Sequence, residues 1–409
     1  MLTQEQLADR AGLSVRTIRN LESGRVGTPH GQTIRLLSDA LALDAADRAR
    51  LERVREPAAD GDRAALAEVV APPRQLPATA SDFVSRGPVE RKVHQLLAGS
   101  APDSLTDVRA APIVLAGGPG TGKTALAVHV GHLVSPDFTG GQLFVDLDGA
   151  AARPRDPVQV LGELLRALGC DPSSVPADVS ARAGTYRSLL AGRRVLVVLD
   201  DAADERQVRP LLPGSASSRV LLTSRRRLAG LEGSHIVEVG VLDAGGARQL
   251  LSNIVGPERL APDEGAVAEI VRCCAGLPLA LRICGALLRA RPHLRLAELA
   301  TDLADEQRRL TTLTFADLEV RASIGLSEAA LTPAQRSAFA LLATLPVPDF
   351  DSSTAATALG VEVAPALDVL GGLVEAHLLD AQPRQARPAR FRFHDLVALY
   401  ARGLRTGPA

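Results

Sequence analysis

The sequence predicts a multidomain fold in which a small all-α domain precedes an α/β domain with a parallel sheet, followed by mainly helical segments. Three observations lead to this prediction. At 409 residues the chain is long for a single hydrophobic core. Its N-terminal segment contains short helical patterns joined by tight turns. In its middle part, apolar strand-like runs alternate with helix-like segments, which is typical of a parallel sheet covered on both faces.

Composition indicates how the cores are built, which partners are excluded and in which compartment the protein is expected. Hydrophobic residues make up 46% of the chain and aromatic residues 2%, so its cores must be built from Leu, Val, Ile and Ala. The formal net charge of −1 excludes a global attraction to nucleic acid or membranes. Without a signal peptide or a bilayer-length apolar run, we expect a cytoplasmic protein. The cysteines lack metal-ligand spacing and are expected to be buried thiols: Cys170, Cys273, Cys274 and Cys284.

The first residues of the chain predict two short helices joined by a turn. Thr3 and Gln6 form the pattern of a capping box, which begins the first helix. Gly12 ends that helix, and Ser14 caps a second helix that runs to Glu22. A third helical pattern starts near residue 33. Two short helices around a glycine-containing turn are the signature of a helix-turn-helix.

The rest of the chain divides into a linker, an α/β region and a helical region. Residues 57–81 are rich in Ala, Pro and Asp, which is typical of a linker. Five apolar runs are strand candidates, with helical segments between them: 113–115, 143–146, 195–199, 220–223 and 236–239. From about residue 242 the pattern is helical, except for a short alternating strand at 391–393.

The strongest chemical signal is a glycine-rich loop between the first of these strands and a helical pattern. It matches G-x-x-x-x-G-K-[ST], in which backbone N–H groups surround phosphates, the lysine reaches the β- and γ-phosphates and the hydroxyl ligates Mg²⁺. Lys123 and Lys92 are the two lysines of an otherwise arginine-based chain, which argues against a glycine-rich turn that binds nothing. The residues expected to bind nucleotide here are Gly117, Gly118, Pro119, Gly120, Thr121, Gly122, Lys123, Thr124 and Ala125.

A second element of the phosphate site is the apolar run 194–199, which ends in Asp200 and Asp201. The carboxyl end of a parallel strand places such acids beside the phosphate loop. Asp200 would hold Mg²⁺ through its water shell, with the Thr124 hydroxyl as a ligand, and Asp201 would orient or activate the attacking water. The alternative is that the acids cap a helix, but their place downstream of the phosphate loop favours the nucleotide interpretation.

Three further motifs are less specific when each is considered alone. Arg225 follows the next strand and could bind a γ-phosphate, because a guanidinium matches phosphate geometry. The same run, 225–227, also fits a solvated basic turn. The sequence Gly276-Leu-Pro278 supports only the end of one helix and the start of another. A single histidine such as His394 is more often a capping or core residue than a ligand.

In order and spacing, these motifs resemble the NB-ARC branch of the STAND signalling ATPases. The resemblance covers about residues 83–402 and rests on the phosphate loop together with four motifs, Leu199-Asp-Asp, Thr223-Ser-Arg, Gly276-Leu-Pro-Leu-Ala and Arg392-Phe-His-Asp-Leu. Residues 83–86, Phe-Val-Ser-Arg, resemble the first motif of that module, although the family usually has Gly in place of Ser85. The resemblance implies a nucleotide-binding domain, a helical domain and a winged-helix domain that close over one nucleotide.

The resemblance also assigns roles to individual residues. It implies that Val84 and Arg86 contact the nucleotide and that Pro278 packs on the adenine. Arg225 would read the γ-phosphate, and His394 would contact the β-phosphate of ADP and lock a closed form. The implied cofactors are ATP or ADP with Mg²⁺.

The N-terminus resembles the XRE-type, phage-repressor-like helix-turn-helix, with residues 14–22 as the recognition helix. Ile18 and Leu21 would face inward. The family normally has a further helix before the capping box, and its absence from this sequence favours a protein-interaction role as the alternative to DNA binding. The residues expected to contact DNA are Gln6, Ser14, Arg16, Thr17, Arg19, Asn20 and Arg25.

The resulting hypothesis is an ATP/ADP-switched transcriptional regulator that binds DNA, self-associates in the ATP state, hydrolyses ATP slowly and has no membrane partner. The alternatives are a signalling or defence scaffold, a DNA-remodelling ATPase related to replication initiators, and a remnant that binds ADP permanently. The motifs at 276–280 and 394–395 argue against the remodelling ATPase. The predicted domains are a helix-turn-helix (1–55), a linker (56–82), a nucleotide-binding domain (83–241), a helical domain (242–310) and a winged-helix domain (311–409).

Overall fold

The computed structural model describes residues 3–22, 31–41, 43, 71–98, 111–384 and 387–406. The chain divides into two compact units, Met1–Ala71 and Pro72–Ala409. The second unit therefore includes residues 72–82, the last part of the predicted linker. The domain boundaries predicted at 241 and 310 stay predictions.

The first unit is helical in the part that the structure describes. Thr3 caps the first helix through a capping box: the Gln6 N–H donates to Thr3 Oγ1 at 3.3 Å, and the Thr3 N–H donates to Gln6 Oε1 at 3.0 Å. Gly12 ends this helix with a left-handed φ of 64°, and Ser14 Oγ accepts the Thr17 N–H at 3.1 Å. The predicted starts of the first two helices, at Thr3 and Ser14, and the predicted end of the first helix at Gly12 are confirmed. The helices are α1 (Gln4–Ala11), α2 (Val15–Glu22) and α3 (Gly31–Ala40).

The second unit opens with an α/β region and continues into helices. The strands of the α/β region are β1 (Ile113–Ala116), β2 (Gly141–Asp146), β3 (Val195–Ala202), β4 (Arg219–Ser224) and β5 (His235–Glu238). Its helices are α4 (Gly87–Ala98), α5 (Lys123–Val134), α6 (Pro157–Ala167), α7 (Val179–Leu190) and α8 (Glu205–Val208).

The C-terminal region is mainly helical, with two short hairpins. Its helices are α9 (Ala244–Val255), α10 (Pro257–Leu260), α11 (Glu264–Cys273), α12 (Pro278–Ala290), α13 (Leu296–Ala304), α14 (Glu306–Thr312), α15 (Val320–Ala329), α16 (Pro333–Leu342), α17 (Ser352–Leu359), α18 (Val363–Glu375) and α19 (Asp395–Thr406). Its strands are β6 (Thr314–Phe315), β7 (Leu318–Glu319), β8 (Asp380–Arg384) and β9 (Arg387–Arg392).

The five strands of the α/β region form a parallel sheet in the order β2-β3-β4-β1-β5, which confirms the predicted sheet and its five strand candidates. Ala116 at the end of β1 pairs with Ser224 at the end of β4. Asp200 in β3 pairs with Asp146 at the end of β2. The carboxyl ends of β1, β3 and β4 are therefore neighbours, and the loops that follow them meet at one edge of the sheet.

Both faces of the sheet are buried, which explains the uninterrupted apolar runs of its strands. On one face, Leu115 and Leu196 pack with Leu126 of α5. On the other face, Leu222 packs in a separate cluster with Leu161 of α6 and with α7. The sheet is thereby fixed from both sides, and its carboxyl edge becomes a rigid platform.

The helices after the sheet share one large apolar core, which extends from Leu242 to Ala401. Helices α16, α17 and α18 are followed by the β8–β9 hairpin, an order of elements that is compatible with the predicted winged helix, which stays a prediction. Phe350 and Phe391 exchange backbone hydrogen bonds of 3.0 and 2.8 Å. Residues 391 and 392 of the strand predicted at 391–393 are the end of a longer strand, β9, because β8 provides a hydrogen-bonding partner that alternation alone does not reveal, whereas Phe393 lies beyond the strand.

Two expectations from composition can be compared with the structure. Cys273, Cys274 and Cys284 are buried free thiols, whereas Cys170 is only partly buried, so the expectation of burial is wrong for Cys170. Among the described residues, no single helix has the length and hydropathy to cross a bilayer. In the part of the chain that the structure describes, the pair α17 and α18, bent by 104°, passes the same test when the two helices are combined.

Candidate nucleotide-binding site

The glycine-rich loop lies between β1 and α5, as predicted, and its geometry requires glycine. Gly120 and Gly122 have φ values of 74° and 85°, in the left-handed region that side chains disfavour. A Cβ on Gly117 would lie 2.4 Å from the carbonyl oxygen of Val239, which leaves no room for a side chain. The loop therefore holds the N-terminus of α5, with its unpaired N–H groups, close to the end of the sheet.

Lys123 is the first residue of α5 and is almost completely buried, with 8% of its surface exposed. Its Nζ donates to the carbonyl oxygens of Gly117 and Gly118, each at 2.9 Å. Burial lowers the pKa of this amine to about 7, with a further lowering by the positive charge of Arg225. An anion bound in the loop would favour the charged form of the amine.

Asp200 and Thr124, the two residues predicted to hold magnesium, are in direct contact. Thr124 Oγ1 lies 2.9 Å from each carboxylate oxygen of Asp200, and Thr223 Oγ1 donates to Oδ1 of Asp200 at 2.6 Å. Burial raises the pKa of the Asp200 carboxyl group. Thr223 opens the motif Thr223-Ser-Arg, but the sequence assigned it no role at the site, although its place at the end of β4 would have been a signal for one.

Asp201 lies beside this pair in a left-handed backbone conformation, with a φ of 47°. Its carboxylate accepts the Ala150 N–H at 2.8 Å and lies 3.6 Å from Nε of Arg225. The Asp201 N–H donates to Thr223 Oγ1 at 2.9 Å. Asp201 is therefore engaged by the loop after β2 and by Arg225.

These groups open into a cavity of about 590 Å³, within the range of small-molecule sites. The polar part of its lining includes Lys123, Thr124, Asp201, Thr223 and Arg225. The apolar part includes residues from before α4 and from helices α9 and α12: Pro77, Ala78, Ala80, Phe83, Val84, Leu250, Pro278 and Leu279. The cavity thus combines an anion-binding end of polar groups with walls suited to a flat apolar group.

Arg86 and the start of α12 hold the phosphate loop from two sides. The Arg86 guanidinium donates to the carbonyl oxygens of Thr121 and Gly240, so it joins the loop to the segment after β5. The Leu279 N–H at the start of α12 donates to the carbonyl oxygen of Gly120 at 3.2 Å. The first turn of α12 is therefore fixed against the loop, and Pro278, Val84 and Arg86 all line the cavity.

Arg225 lines the same cavity but is held by the C-terminal region. Its Nη1 donates to the carbonyl oxygen of Ser323 at 2.7 Å and to Oγ of Ser327 at 3.3 Å, both on α15. The guanidinium thus connects the carboxyl edge of the sheet to α15. The interpretation of Arg225 as part of a merely solvated turn does not fit these contacts.

His394 is not among the residues that line this cavity. Its Nδ1 accepts the Leu396 N–H at 3.3 Å, which leaves Nε2 to donate to the carbonyl oxygen of Ala275 at 3.0 Å. His394 therefore contacts the turn before α12. The contact with the nucleotide implied by the resemblance stays a prediction.

A different histidine lies against the phosphate loop. The carbonyl oxygen of His377 is 3.4 Å from the position of a Cβ on Gly118, and its Nδ1 is 3.6 Å from Glu238. Burial, with the charges of Arg227 and Lys123, lowers the pKa of His377 to about 4. Its Nε2 has no hydrogen-bond partner among the described residues. A lone histidine between a helix and a strand gave no sequence signal for this position.

The first unit places some of the predicted DNA-contacting residues in the recognition helix. Ile18 is buried, as expected, and Arg19 is exposed. Gln6 and Ser14 are exposed but take part in helix caps, and Ser14 Oγ also lies 2.8 Å from Oγ1 of Thr17. The side chains of Arg16 and Asn20, and the whole of Arg25, lie outside the described residues.

Comparison with known proteins identifies two domains in the chain. Residues 1–51 match a helix-turn-helix domain family, and residues 104–261 match the NB-ARC domain family. The chain therefore carries an N-terminal helix-turn-helix domain and an NB-ARC domain. Both resemblances inferred from the motifs are confirmed.

Several known proteins are similar to this chain over most or part of its length. The chain is 43% identical over 383 residues to the regulatory protein AfsR of Streptomyces coelicolor, which covers 91% of this chain and 38% of that protein. It is 31% identical over 195 residues to the disease resistance protein RPV1 of Vitis rotundifolia, which covers 45% of this chain and 14% of that protein. The chain thus spans less than half the length of these relatives.

Similarity to a solved structure supports the fold. A Walker-type ATPase of Pyrococcus abyssi aligns with a TM-score of 0.54 at 14% sequence identity. The alignment covers 80% of this chain and 97% of that protein. The arrangement of a P-loop sheet followed by helices is therefore shared beyond recognisable sequence similarity.

Proposed function

We propose that this protein is an ATP/ADP-switched transcriptional regulator. It binds DNA through residues 1–55 and changes conformation and oligomeric state when its nucleotide is exchanged. The observation that carries the proposal is the cavity of about 590 Å³ where the phosphate loop and Arg225 meet the start of α12. The two domain matches and the regulatory relatives support the same function.

The polar end of the cavity fits the phosphates of ATP or ADP with Mg²⁺. Lys123 and the N–H groups at the start of α5 would bind the β-phosphate. Thr124 and Asp200 supply the hydroxyl and carboxylate oxygens that Mg²⁺ prefers, and their oxygens already lie 2.9 Å apart. When bound there, Mg²⁺ would neutralise part of the phosphate charge.

Arg225 provides the switch in this proposal. In the present conformation its Nη1 is bound to the neutral oxygens of Ser323 and Ser327 on α15, while its Nε lies 3.6 Å from the Asp201 carboxylate. A γ-phosphate in the cavity would compete for this guanidinium, because hydrogen bonds between charged groups are stronger than those to neutral carbonyls. Loss of the two contacts would release α15 and open the closed form that ADP favours.

Hydrolysis is proposed to be slow and to reset the switch. The carboxylate of Asp201 is already bound to the Ala150 N–H and to Arg225, so it is not free to activate water in this conformation. We expect turnover without a partner to stay well below about 10 s⁻¹, the median for enzymes. A higher rate would indicate a catalytic ATPase.

DNA binding would depend on the ATP state through self-association. A single small helix-turn-helix domain binds DNA weakly, and joining several copies raises the apparent affinity through effective concentration. The release of α15 would expose surface for this self-association. The domain match over residues 1–51 supports the DNA-binding part of the proposal.

The test is the recovery of genomic DNA fragments on the full chain with ATP, with ADP and without nucleotide. We expect one sequence motif to be enriched, most strongly with ATP, and expect the Lys123→Ala variant to lose the effect of ATP. Absence of enrichment with nucleotide binding intact would contradict the DNA-binding role. It would favour the alternative, a nucleotide-dependent signalling or defence scaffold whose helix-turn-helix binds a protein.

A further inference from the structure

We propose that residues 72–82, called the strap below, form one wall of the nucleotide site and are held in place by the bound base. The strap begins the second unit at Pro72 and follows the helix-turn-helix match at residues 1–51 in the chain. It lies outside the NB-ARC match at residues 104–261. The inference rests on the proposed function, since it requires that the cavity binds a nucleotide.

The strap starts as a short addition to the edge of the sheet. Arg74 pairs in parallel with Gln142 of β2, the edge strand. The Gln142 N–H donates to the carbonyl oxygen of Pro73 at 2.6 Å, and the Gln75 N–H donates to the carbonyl oxygen of Gln142 at 3.0 Å. The pairing is an isolated bridge and not a continuous ladder, so it attaches the strap only weakly by itself.

Beyond this bridge the strap rests on α5, the helix that begins at Lys123. Leu76 packs on the core between α5 and the sheet, with Cδ1 3.3 Å from the position of a Cβ on Gly131. The imidazole of His132 donates to the carbonyl oxygen of Pro77 at 2.8 Å. One helix therefore presents its N-terminus to the phosphates and supports the strap nearer its other end.

The last part of the strap faces the cavity and ends on the helical region. Pro77, Ala78 and Ala80 line the cavity. Oδ1 of Asp82 lies 2.7 Å from Nη2 of Arg282 on α12, a residue that also lines the cavity. The carbonyl oxygen of Asp82 accepts a hydrogen bond from Asn253 of α9 at 3.4 Å. The strap thus bridges the sheet edge and the helices that close the cavity.

The chemistry of the strap wall fits the base and not the phosphates. Pro77, Ala78 and Ala80 offer apolar surface and no side-chain donor or cation, whereas Lys123 and Arg225 line the same cavity with positive charge. ADP and ATP carry the same base, so both should hold the strap. The strap therefore responds to occupancy of the site, and Arg225 responds to the γ-phosphate. By linkage, an ordered strap strengthens base binding as much as the base orders the strap.

Hydrogen–deuterium exchange on the full chain tests the inference, with ADP, ATP, inorganic pyrophosphate or no ligand. We expect ADP and ATP each to slow exchange of the amides at 74–82 by on the order of tenfold. Pyrophosphate, which lacks a base, should slow exchange only at the phosphate loop, 117–124.

The outcomes separate the inference from the proposed function. Protection of 117–124 by ADP without a change at 74–82 would overturn the strap as a wall of the site and leave the nucleotide site intact. Equal protection of 74–82 by pyrophosphate and ADP would overturn its assignment to the base. No protection of either segment by any ligand would overturn the proposed function, and the inference with it.

A pair of variants provides an independent measurement. Leu76→Ala removes the anchor of the strap, and we expect the dissociation constant of ADP to rise about tenfold while that of pyrophosphate stays unchanged. The matched control is Leu133→Ala. Leu133 lies on α5, the helix that supports the strap, but 53% of its surface is exposed. An unchanged ADP affinity in Leu76→Ala would contradict the inference. If Leu76→Ala does not fold, the surface variant Pro77→Gly loosens the strap with the same expected result.

Discussion

Lys123 is the residue on which the proposed nucleotide site depends most. Its buried ammonium donates to two loop carbonyls, and it lies at the start of the helix that faces the cavity. Lys123→Ala removes this charge from the site. We expect ADP affinity to fall about 100-fold, the equivalent of losing charged hydrogen bonds worth about 3 kcal/mol. The measurement is the nucleotide released from equal amounts of purified, denatured protein.

The control for this variant is Lys92→Ala, which changes the other lysine of the chain on the exposed surface of α4. It should retain as much nucleotide as the unchanged protein. If Lys123→Ala also retains that amount, the assignment of the phosphate loop is wrong.

The lowered pKa of Lys123 predicts a pH dependence of binding. Its folded-state pKa of about 7 lies below the ordinary 10.5, so the amine is mostly neutral above pH 7 in the free protein. A phosphate raises this pKa, and binding above pH 7 must therefore take up a proton. ADP affinity should be highest near or below pH 7 and should fall as the pH rises toward 10. Calorimetry in buffers of different ionisation enthalpy measures the uptake, and no uptake at pH 8 would contradict the prediction.

The same shift predicts the sign of the stability change without nucleotide. Between pH 7 and 10.5 the unfolded chain binds more protons at this lysine than the folded chain does. The free energy of unfolding should therefore increase as the pH rises through this window. Below pH 7 the lysine is charged in both states, and the full penalty of burying the charge remains. The free energy of unfolding of Lys123→Met lacks this contribution. The difference between its pH dependence and that of the unchanged protein, measured by denaturant unfolding, is therefore the part due to Lys123.

Tyr186 offers a prediction about stability that does not involve the site. Its side chain is fully buried between α7 and the sheet, and its hydroxyl has no hydrogen-bond partner among the described residues. Tyr186→Phe removes an unsatisfied group, so we expect the free energy of unfolding to rise by about 1 kcal/mol. The control is the other tyrosine of the chain: Tyr400→Phe removes a hydroxyl that interacts with Glu328 and should be destabilising. Destabilisation by both variants in denaturant unfolding would contradict the first prediction.

At the scale of elements, α15 is the segment whose position depends on Arg225. Arg225→Ala removes the bonds to Ser323 and Ser327. Hydrogen exchange in α15 of the ADP-bound protein should become faster. The ratio of ATP to ADP affinity should also fall several-fold, because the proposed γ-phosphate contact is lost.

Arg226→Ala is the neighbouring control. Its ion pair with Glu375 is about half exposed and therefore contributes little. This variant should leave both the exchange of α15 and the nucleotide preference almost unchanged. Equal behaviour of the two variants would mean that Arg225 is not the switch.

Much of the sheet could be predicted because its determinants are local. The apolar runs, the glycine-rich loop and the acids at strand ends lie within short stretches, and parallel topology brings strand ends together without further information. The partners of Arg225 could not be predicted, because Ser323 is remote in sequence and contributes only a backbone carbonyl. The positions of His377 and the strap depend on tertiary packing in the same way.

At the scale of the whole molecule, the proposed switch predicts a change in size. ADP-bound protein should sediment as a monomer, since α12 and α15 are both held against the sheet edge. ATP, or a non-hydrolysable analogue, should produce a larger species at the same protein concentration, because release of α15 frees surface for self-association. Sedimentation velocity measures the change, and Lys123→Ala should not respond. Identical profiles with ADP and ATP would favour a protein that holds ADP permanently.

The strap also bears on how the protein behaves when it is concentrated. It covers backbone donors and acceptors of β2 that would otherwise form an open sheet edge, and open edges pair readily with strands of other molecules. Nucleotide that holds the strap down would therefore protect the protein from non-native association. Stripping the nucleotide during purification would expose the Gln142 backbone and turn a regulatory domain into a nucleus for aggregation. Bound nucleotide would in this way keep the edge strand β2 covered and the protein in solution.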